Sequence, residues 1–323
     1  MGKNLRLSLV ACAAVVVAAC TQQSEPPATP AAAPSTPMGK TIVAARGGFI
    51  PEGVEFDRAN RRFLTGSLAE GTIFEIHDDG AVTPFVTDPA LVSSVGIEVD
   101  EPRDRLLVAN SDRAVFEPGN TGQAKLGVYS LTTGERIAMV DLAAVIGTPS
   151  DPPAYFANDL TVDNDGNVYV TDTRMNVLYR VGPDYTASVF YRFTSLPENT
   201  ALNGIVFHPD GFLLVVAGPN MYKVPLADPA GMTQVTVDQP VPGEDGVVWA
   251  DNGLLAVVSN SADDPRVVAL SSDDAWATAH RVTSAVMHGG GVTTAAAMDG
   301  DIYAVHPHFN DADPPVLEQA IFQ

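Results

Sequence analysis

Residues Ala157-Asn158-Asp159-Leu160-Thr161-Val162-Asp163, Asn164-Asp165-Gly166 and Asn167-Val168-Tyr169-Val170-Thr171-Asp172-Thr173 form the stretch that decides the fold. The first and last runs are short and rich in β-branched and aromatic residues, as strands are. The Asn-Asp-Gly between them is tight-turn chemistry. A third run, Asn176-Val177-Leu178-Tyr179-Arg180-Val181, continues the meander. The unit then repeats along the chain. Towards the N-terminus it reads Pro51–Asp57, Arg62–Ser67 and Gly71–Ile76, then Ser94–Asp100, Arg105–Ser111 and Leu126–Leu131. Towards the C-terminus it reads Leu202–His208 with Phe212–Ala217, Glu244–Ala250 with Leu254–Asn260, and Gly291–Ala297 with Asp301–Pro307.

The second strand of each unit starts near Phe63, Arg105, Asn167, Phe212, Leu254 and Asp301, in steps of about 42 to 47 residues with one of about 62. The long step carries insertions around Phe116–Lys125 and Ala143–Pro153. A period in this range with several strands per unit is the signature of propeller blades. Six units predict an all-β, six-bladed β-propeller. Thr41–Arg46 belongs to no unit of its own and is expected to supply the outer strand of the last blade, which closes the ring and removes its open edges. A pair of β-sandwiches is the competing architecture, and it leaves the six similar units unexplained.

Composition agrees. The chain has 323 residues, 18 Lys+Arg against 39 Asp+Glu, a net charge of −21, 46% apolar residues, 27 glycines and 25 prolines. The apolar fraction is that of a packed core. So acidic a chain lacks the basic surface that phosphate neutralisation needs, so nucleic acid is not an expected partner. A monomer is expected.

Residues 1–19 read as a signal peptide. Lys3 and Arg6 precede an apolar run from Leu7 to Ala19, too short for a membrane-spanning helix. Val17-Ala18-Ala19-Cys20 resembles the bacterial lipobox, which implies lipidation at Cys20 and a place in the cell envelope, periplasmic or associated with the outer membrane. Cleavage there removes Lys3, Arg6 and Cys12 and takes the charge from −21 to −23. Residues 20–40 are Pro-, Ala-, Ser- and Thr-rich and read as an extended tether. Residues 41–323 are the propeller. With Cys20 on lipid the propeller carries no thiol, which excludes disulfides and cysteine nucleophiles.

The first strand of each blade lines the central tunnel, and the residues at its start meet at one mouth. Around the ring they are Glu52, Val95, Asn158, Asn203, Asp245 and Thr293. Glu52 and Asp245 repel each other in a confined mouth unless one holds a proton or a cation sits between them. Two carboxylates and two amides form an all-oxygen set without Cys or His, which points to Ca²⁺ before a softer metal. Four protein ligands leave coordination positions for water and substrate.

The motifs Pro51-Glu52-Gly53, Ala157–Asp163, Leu202–Gly211 and Glu244–Gly253 resemble those of the senescence-marker-protein and gluconolactonase-like family of six-bladed propellers, which includes diisopropyl-fluorophosphatase-type enzymes. The resemblance implies a catalytic divalent metal on Glu52, Asn158, Asn203 and Asp245. It also implies hydrolysis of a small-molecule lactone or ester. In that reading Asp245 or Glu52 takes a proton from a metal-bound water, or Asp245 attacks the carbonyl itself; the sequence leaves both routes open. Phe156, Val95, Thr293 and His288 are the expected pocket residues. Phe156 stands where the gluconolactonase branch often has arginine, which favours a less polar substrate. Val95 and Ser111 stand where the related paraoxonase-type propellers carry a histidine pair.

Other features are expected to be structural. Asp163–Asn167 looks like the start of a calcium-binding loop but lacks the acid at the twelfth place, so it reads as a β-turn. His306 and His308 flank Pro307 and are expected to be solvated. His288 lies just before the sixth inner strand, near the mouth, and is the one histidine considered as a candidate proton carrier. No G-x-S-x-G elbow is present. A non-catalytic propeller lipoprotein that binds a ligand or protein is the alternative reading, and a strictosidine-synthase-like condensing enzyme a third.

Overall fold

The computed structural model describes residues 40–147, 153–309 and 313–323. Pro37–Gln323 falls into one compact unit. Cys20, the signal segment and nearly all of the tether lie outside the described residues.

The strands pair into six four-stranded antiparallel meanders. Their innermost strands are Val54–Asp57, Ser93–Asp100, Tyr155–Val162, Leu202–His208, Glu244–Trp249 and Ala295–Met298. Each innermost strand touches the next, and the sixth touches the first, so the ring closes. Thr41–Val43 pairs antiparallel with Val316–Gln319 as the outer strand of blade six, with Ile42 opposite Leu317. The expected six-bladed propeller with an N-terminal closing strand is therefore the architecture found.

The fourth strand of each remaining blade carries no clear sequence signal. Val82–Val86, Arg136–Asp141, Ala187–Arg192, Thr233–Val237 and Thr278–Val286 face solvent along much of their length. The insertion of blade two lengthens its third strand to Gly122–Ser130. Its first two residues, Gly122 and Gln123, pair in parallel with Tyr155 and Phe156 and join blades two and three into one sheet. A second parallel pairing, Thr236 with Thr278 and Val237 with Ala279, links the outer strands of blades four and five.

The core lies between blades. Leu107, Leu126, Val170 and Tyr179 fill one such layer, and Leu214, Val216, Val257 and Leu270 another, all fully buried. The turn after each of the first three inner strands is anchored by an aspartate at the end of the strand or just past it. Asp57 accepts from Arg62 Nε at 2.9 Å, and Asp100 accepts from Arg105 Nε at 2.9 Å. Asp163 accepts from the backbone of Asp165 and Asn167, both at 2.9 Å, and from Tyr169 Oη at 3.1 Å. The oxygens of Asp163 are thus used in holding a turn, as expected for that segment.

Candidate functional site at the tunnel mouth

Four inner strands share one irregularity. Pairing with the second strand shifts between Ser94 and Ile97, Ala157 and Leu160, Leu202 and Ile205, and Glu244 and Val247. A bulge of this kind re-aims side chains and is frequent beside active sites. Here it falls at Val95-Gly96, Asn158-Asp159, Asn203-Gly204 and Asp245-Gly246. The glycines are required by proximity. A Cβ on Gly204 would lie 2.5 Å from the Asp245 carbonyl oxygen, and one on Gly96 would lie 2.6 Å from the Asn158 carbonyl oxygen. Each inner strand therefore approaches the backbone of its neighbour, and the ring is tight at this end.

Hydroxyl groups lock the blades together at the same level. Thr293 Oγ1 donates to the Glu52 carbonyl at 2.7 Å, Ser111 Oγ to that of Ala157 at 2.8 Å, and Thr171 Oγ1 to that of Asn203 at 2.8 Å. Thr293 is 2% exposed and Val95 is 1% exposed. Both belong to this framework, and neither lines the tunnel.

The tunnel is a cavity of about 310 Å³ whose walls include Glu52, Asn158, Asn203, Glu55, Glu98 and Asp159. Asn158 Nδ2 donates to Thr173 Oγ1 at 2.9 Å. Its Oδ1 is buried and has no partner. Asp245 is 7% exposed; Asn260 Nδ2 donates to its Oδ2 at 2.8 Å, and Asn203 hydrogen-bonds to it as well.

Burial in the cation-free chain shifts Glu52, Asp245, Asp159, Glu55 and Glu98 towards the protonated form. Burial, then the charges of Asp245 and Asp159, raises Glu52 well above the ordinary carboxylate range. Burial raises Asp245 to about 7 against the opposing bonds from Asn260 and Asn203. Burial, assisted by Asp245, raises Asp159 to about 7 against bonds from the Leu160 and Ile205 amides. Glu55 is raised to about 8 by burial and by Asp159. Glu98 is raised well above its ordinary value by burial and then by Glu55.

These acids and the unpartnered amide oxygen fit a hard cation. Glu52 and Asp245 would supply charge, and Asn158 and Asn203 neutral oxygens. Among the described residues no three His, Cys, Asp or Glu side chains form a metal-holding group, so a cation here has to draw on the amides.

Glu55, Glu98 and Asp159 were not expected at the tunnel. The bulge in blade three brings Asp159, the residue after Asn158, to the wall, and Glu55 and Glu98 line it from three residues beyond Glu52 and Val95. The available signal was an acid inside an inner strand: VEFD and IEVD hold glutamate where Ile205-Val206-Phe207 and Val247-Val248-Trp249 hold only apolar side chains.

The other expected pocket residues are placed as follows. Phe156 is 5% exposed and lies against Phe116, whose ring centroid is 5.0 Å away. Phe116 is the aromatic that meets solvent. His288 is held on blade six, with Nδ1 2.6 Å from Glu318 Oε1, and does not line the cavity. His306, expected to be solvated, is fully buried. Its Nε2 stands 3.0 Å from Glu318 Oε2, because the strand Asp301–His306 ends beneath Gly289, where a Cβ would touch the His306 ring.

No protein-family profile matches the chain, and no curated protein does. Solved structures do. The major Malassezia sympodialis allergen Mala s 1 is similar over 86% of this chain and 95% of its own, with a TM-score of 0.72 and 19% identity. A calcium-binding protein, regucalcin, from Agrobacterium tumefaciens is similar over 88% of this chain and 96% of its own, with a TM-score of 0.60 and 18% identity. A gluconolactonase from Xanthomonas campestris is similar over 89% of this chain and 99% of its own, with a TM-score of 0.56 and 15% identity. At these identities the likeness establishes a shared fold.

Proposed function

We propose that the chain is a divalent-cation-dependent hydrolase of small-molecule lactones or esters, with Ca²⁺ as the cation. The reading rests on one observation above the others: Asn158 Oδ1 is buried without a partner beside carboxyl groups that burial has pushed towards neutrality. Leaving such an oxygen unpaired costs stability unless something occupies it. A likeness in fold to a gluconolactonase and a calcium-binding protein supports the same reading.

A bound divalent cation would polarise a substrate carbonyl and lower the pKa of a water. The chain's own residues do the rest. Thr173 orients Asn158, and Asn260 and Asn203 both hydrogen-bond to Asp245 and hold its carboxyl group in place. Asp245 then takes the proton of a water whose oxygen adds to the carbonyl carbon, or adds there itself to give an acyl intermediate that water later cleaves. In either route the acyl C–O bond breaks and the leaving oxygen departs as the protonated alcohol, with Glu52 supplying a second negative charge at the site. Membership of the gluconolactonase-like family, lipidation at Cys20, attachment to the bacterial envelope and a monomeric state belong to the same proposal.

The test is turnover of a panel of lactones and aryl esters by the wild-type, Glu52→Gln and Asp245→Asn proteins. The proposal predicts activity in the wild type and at least a hundredfold loss in both variants. Full hydrolysis by both variants would move the site elsewhere. No turnover on any substrate would favour a binding role.

A further inference from the structure

The mouth is acidic, but beside it stands a cation without a partner. Arg174 follows Thr173, the residue that orients Asn158. Its side chain is exposed, and among the described residues no carboxylate lies within ion-pair distance of it. Arg180, Arg192 and Arg281 also lack an ion pair, but their guanidinium groups donate to Asn167 Oδ1, the Ile146 carbonyl and Ser284 Oγ, whereas Arg174 has no such acceptor among the described residues. Arg46, Arg58, Arg61, Arg62, Arg103, Arg105, Arg136 and Arg266 each pair with an acid. The Arg174 guanidinium instead lies 5.8 Å from the Phe116 ring centre.

Phe116 is 59% exposed, more than any other large apolar residue among those described. It is not loose. Its ring packs edge-on against buried Phe156 at an interplanar angle of 63°, and Phe156 lies near the start of the strand that carries Asn158. One carboxylate oxygen fixes the whole arrangement: Asp172 Oδ1 accepts from the backbone N–H of Phe156 at 3.0 Å, Arg174 at 2.9 Å and Met175 at 3.0 Å. A concavity of about 430 Å³ opens there, lined by Phe116, Glu117, Asn120, Thr121, Ala154 and Arg174 among others. Glu117 shares that wall without pairing to Arg174.

We infer that this surface is a subsite for the substrate's tail, and that the tail is an aryl or alkyl group ending in a carboxylate. The inference rests on the hydrolase reading and adds the substrate class to it. An apolar tail covers the Phe116 face that water now wets. A terminal carboxylate meets Arg174, whose planar fork suits that group. The tail's charge lies outside the acidic tunnel, and the reacting carbonyl lies inside it.

The probe is 4-phenylbutyrate, with 4-phenylbutanol as the neutral match, titrated calorimetrically into the full chain with chelator present. Binding is read without catalysis, so its outcome is separate from that of the hydrolase reading. The inference predicts that 4-phenylbutyrate binds the wild type. Arg174→Gln should weaken the acid about five- to tenfold and leave the alcohol unchanged. Phe116→Ala should weaken both. No binding of either compound, or an equal loss of acid and alcohol in Arg174→Gln, would overturn it. If 4-phenylbutyrate binds as described and no ester or lactone is cleaved, the surface stands as a binding site for an apolar carboxylate, and its role as a substrate subsite falls with the hydrolase reading.

Discussion

Thr173 Oγ1 accepts a hydrogen bond from Asn158 Nδ2 at 2.9 Å, and this bond leaves Asn158 Oδ1 as the partnerless end of the amide. The same hydroxyl donates to the Leu202 carbonyl at 2.8 Å. One side chain therefore joins blade three to blade four and sets the direction of a candidate ligand. Thr173→Val removes both bonds and frees the amide to turn. It should weaken Ca²⁺ binding about five- to tenfold and cost about 1–2 kcal/mol of stability. Thr173→Ser keeps both bonds and should behave as wild type. Calorimetric titration with Ca²⁺ and a denaturant melt check the two effects.

Protonation of the tunnel gives a signed pH dependence. Asp159 and Asp245 are raised to about 7, and Glu55 and Glu244 to about 8. The cation-free folded chain thus holds more protons than the unfolded chain between about pH 4 and pH 8, where free carboxylates have already ionised. Stability contributed by these groups is complete below the unfolded values and is lost as pH rises through the folded ones. Melting temperature in chelator should fall from pH 5 to pH 8. Saturating Ca²⁺ should flatten that fall, because the cation binds the ionised form. A profile that is flat without cation would contradict the electrostatic account.

Glu244 isolates one part of that effect. It is 3% exposed, both its oxygens are buried without partners, and burial raises its pKa to about 8. Replacing an unsatisfied buried acid by an apolar residue of similar length is often stabilising. Glu244→Met should raise the melting temperature by a few degrees at pH 9 and by less at pH 5, as read by thermal scans.

The ring of glycines sets a steric limit. A Cβ on Gly246 would collide with Thr294 Oγ1 and lie 2.5 Å from Thr294 Cβ. Gly246→Ala should cost about 1–3 kcal/mol, the usual range for overpacking a tight site. Gly253 has φ of +81° but nothing within 4 Å, so Gly253→Ala should cost only the backbone strain, about 1 kcal/mol. Denaturant midpoints of the two variants give the comparison.

What the sequence revealed follows from which strands are buried. Inner and second strands such as Leu202–His208 and Phe212–Ala217 are apolar on both faces, and their spacing is enough to read the ring. Outer strands such as Arg136–Asp141 are half-solvated and lack alternation, so they merge with loops. At the site, repeat position alone picked out Glu52, Asn158 and Asn203, which lie on the tunnel wall, but also Val95 and Thr293, which do not. Asp159 was not legible, because a one-residue bulge changes which side chains face inward, and neither were Glu55 and Glu98, which lie three residues past the strand starts inside otherwise apolar runs. The burial of Phe156 beneath Phe116 depends on an insertion outside the repeat, and the pairing of His306 with Glu318 joins segments that no local pattern connects.

The central claim is that Glu52, Asn158, Asn203 and Asp245 hold a cation that the reaction needs. The most direct measurement is the initial rate of lactone opening across a series of buffered free Ca²⁺ concentrations, with melting temperature recorded in the same solutions. The account predicts that rate and melting temperature rise together with one midpoint, and that Asn158→Ala shifts both to higher Ca²⁺. A rate that is constant from chelator to saturating Ca²⁺ would contradict it.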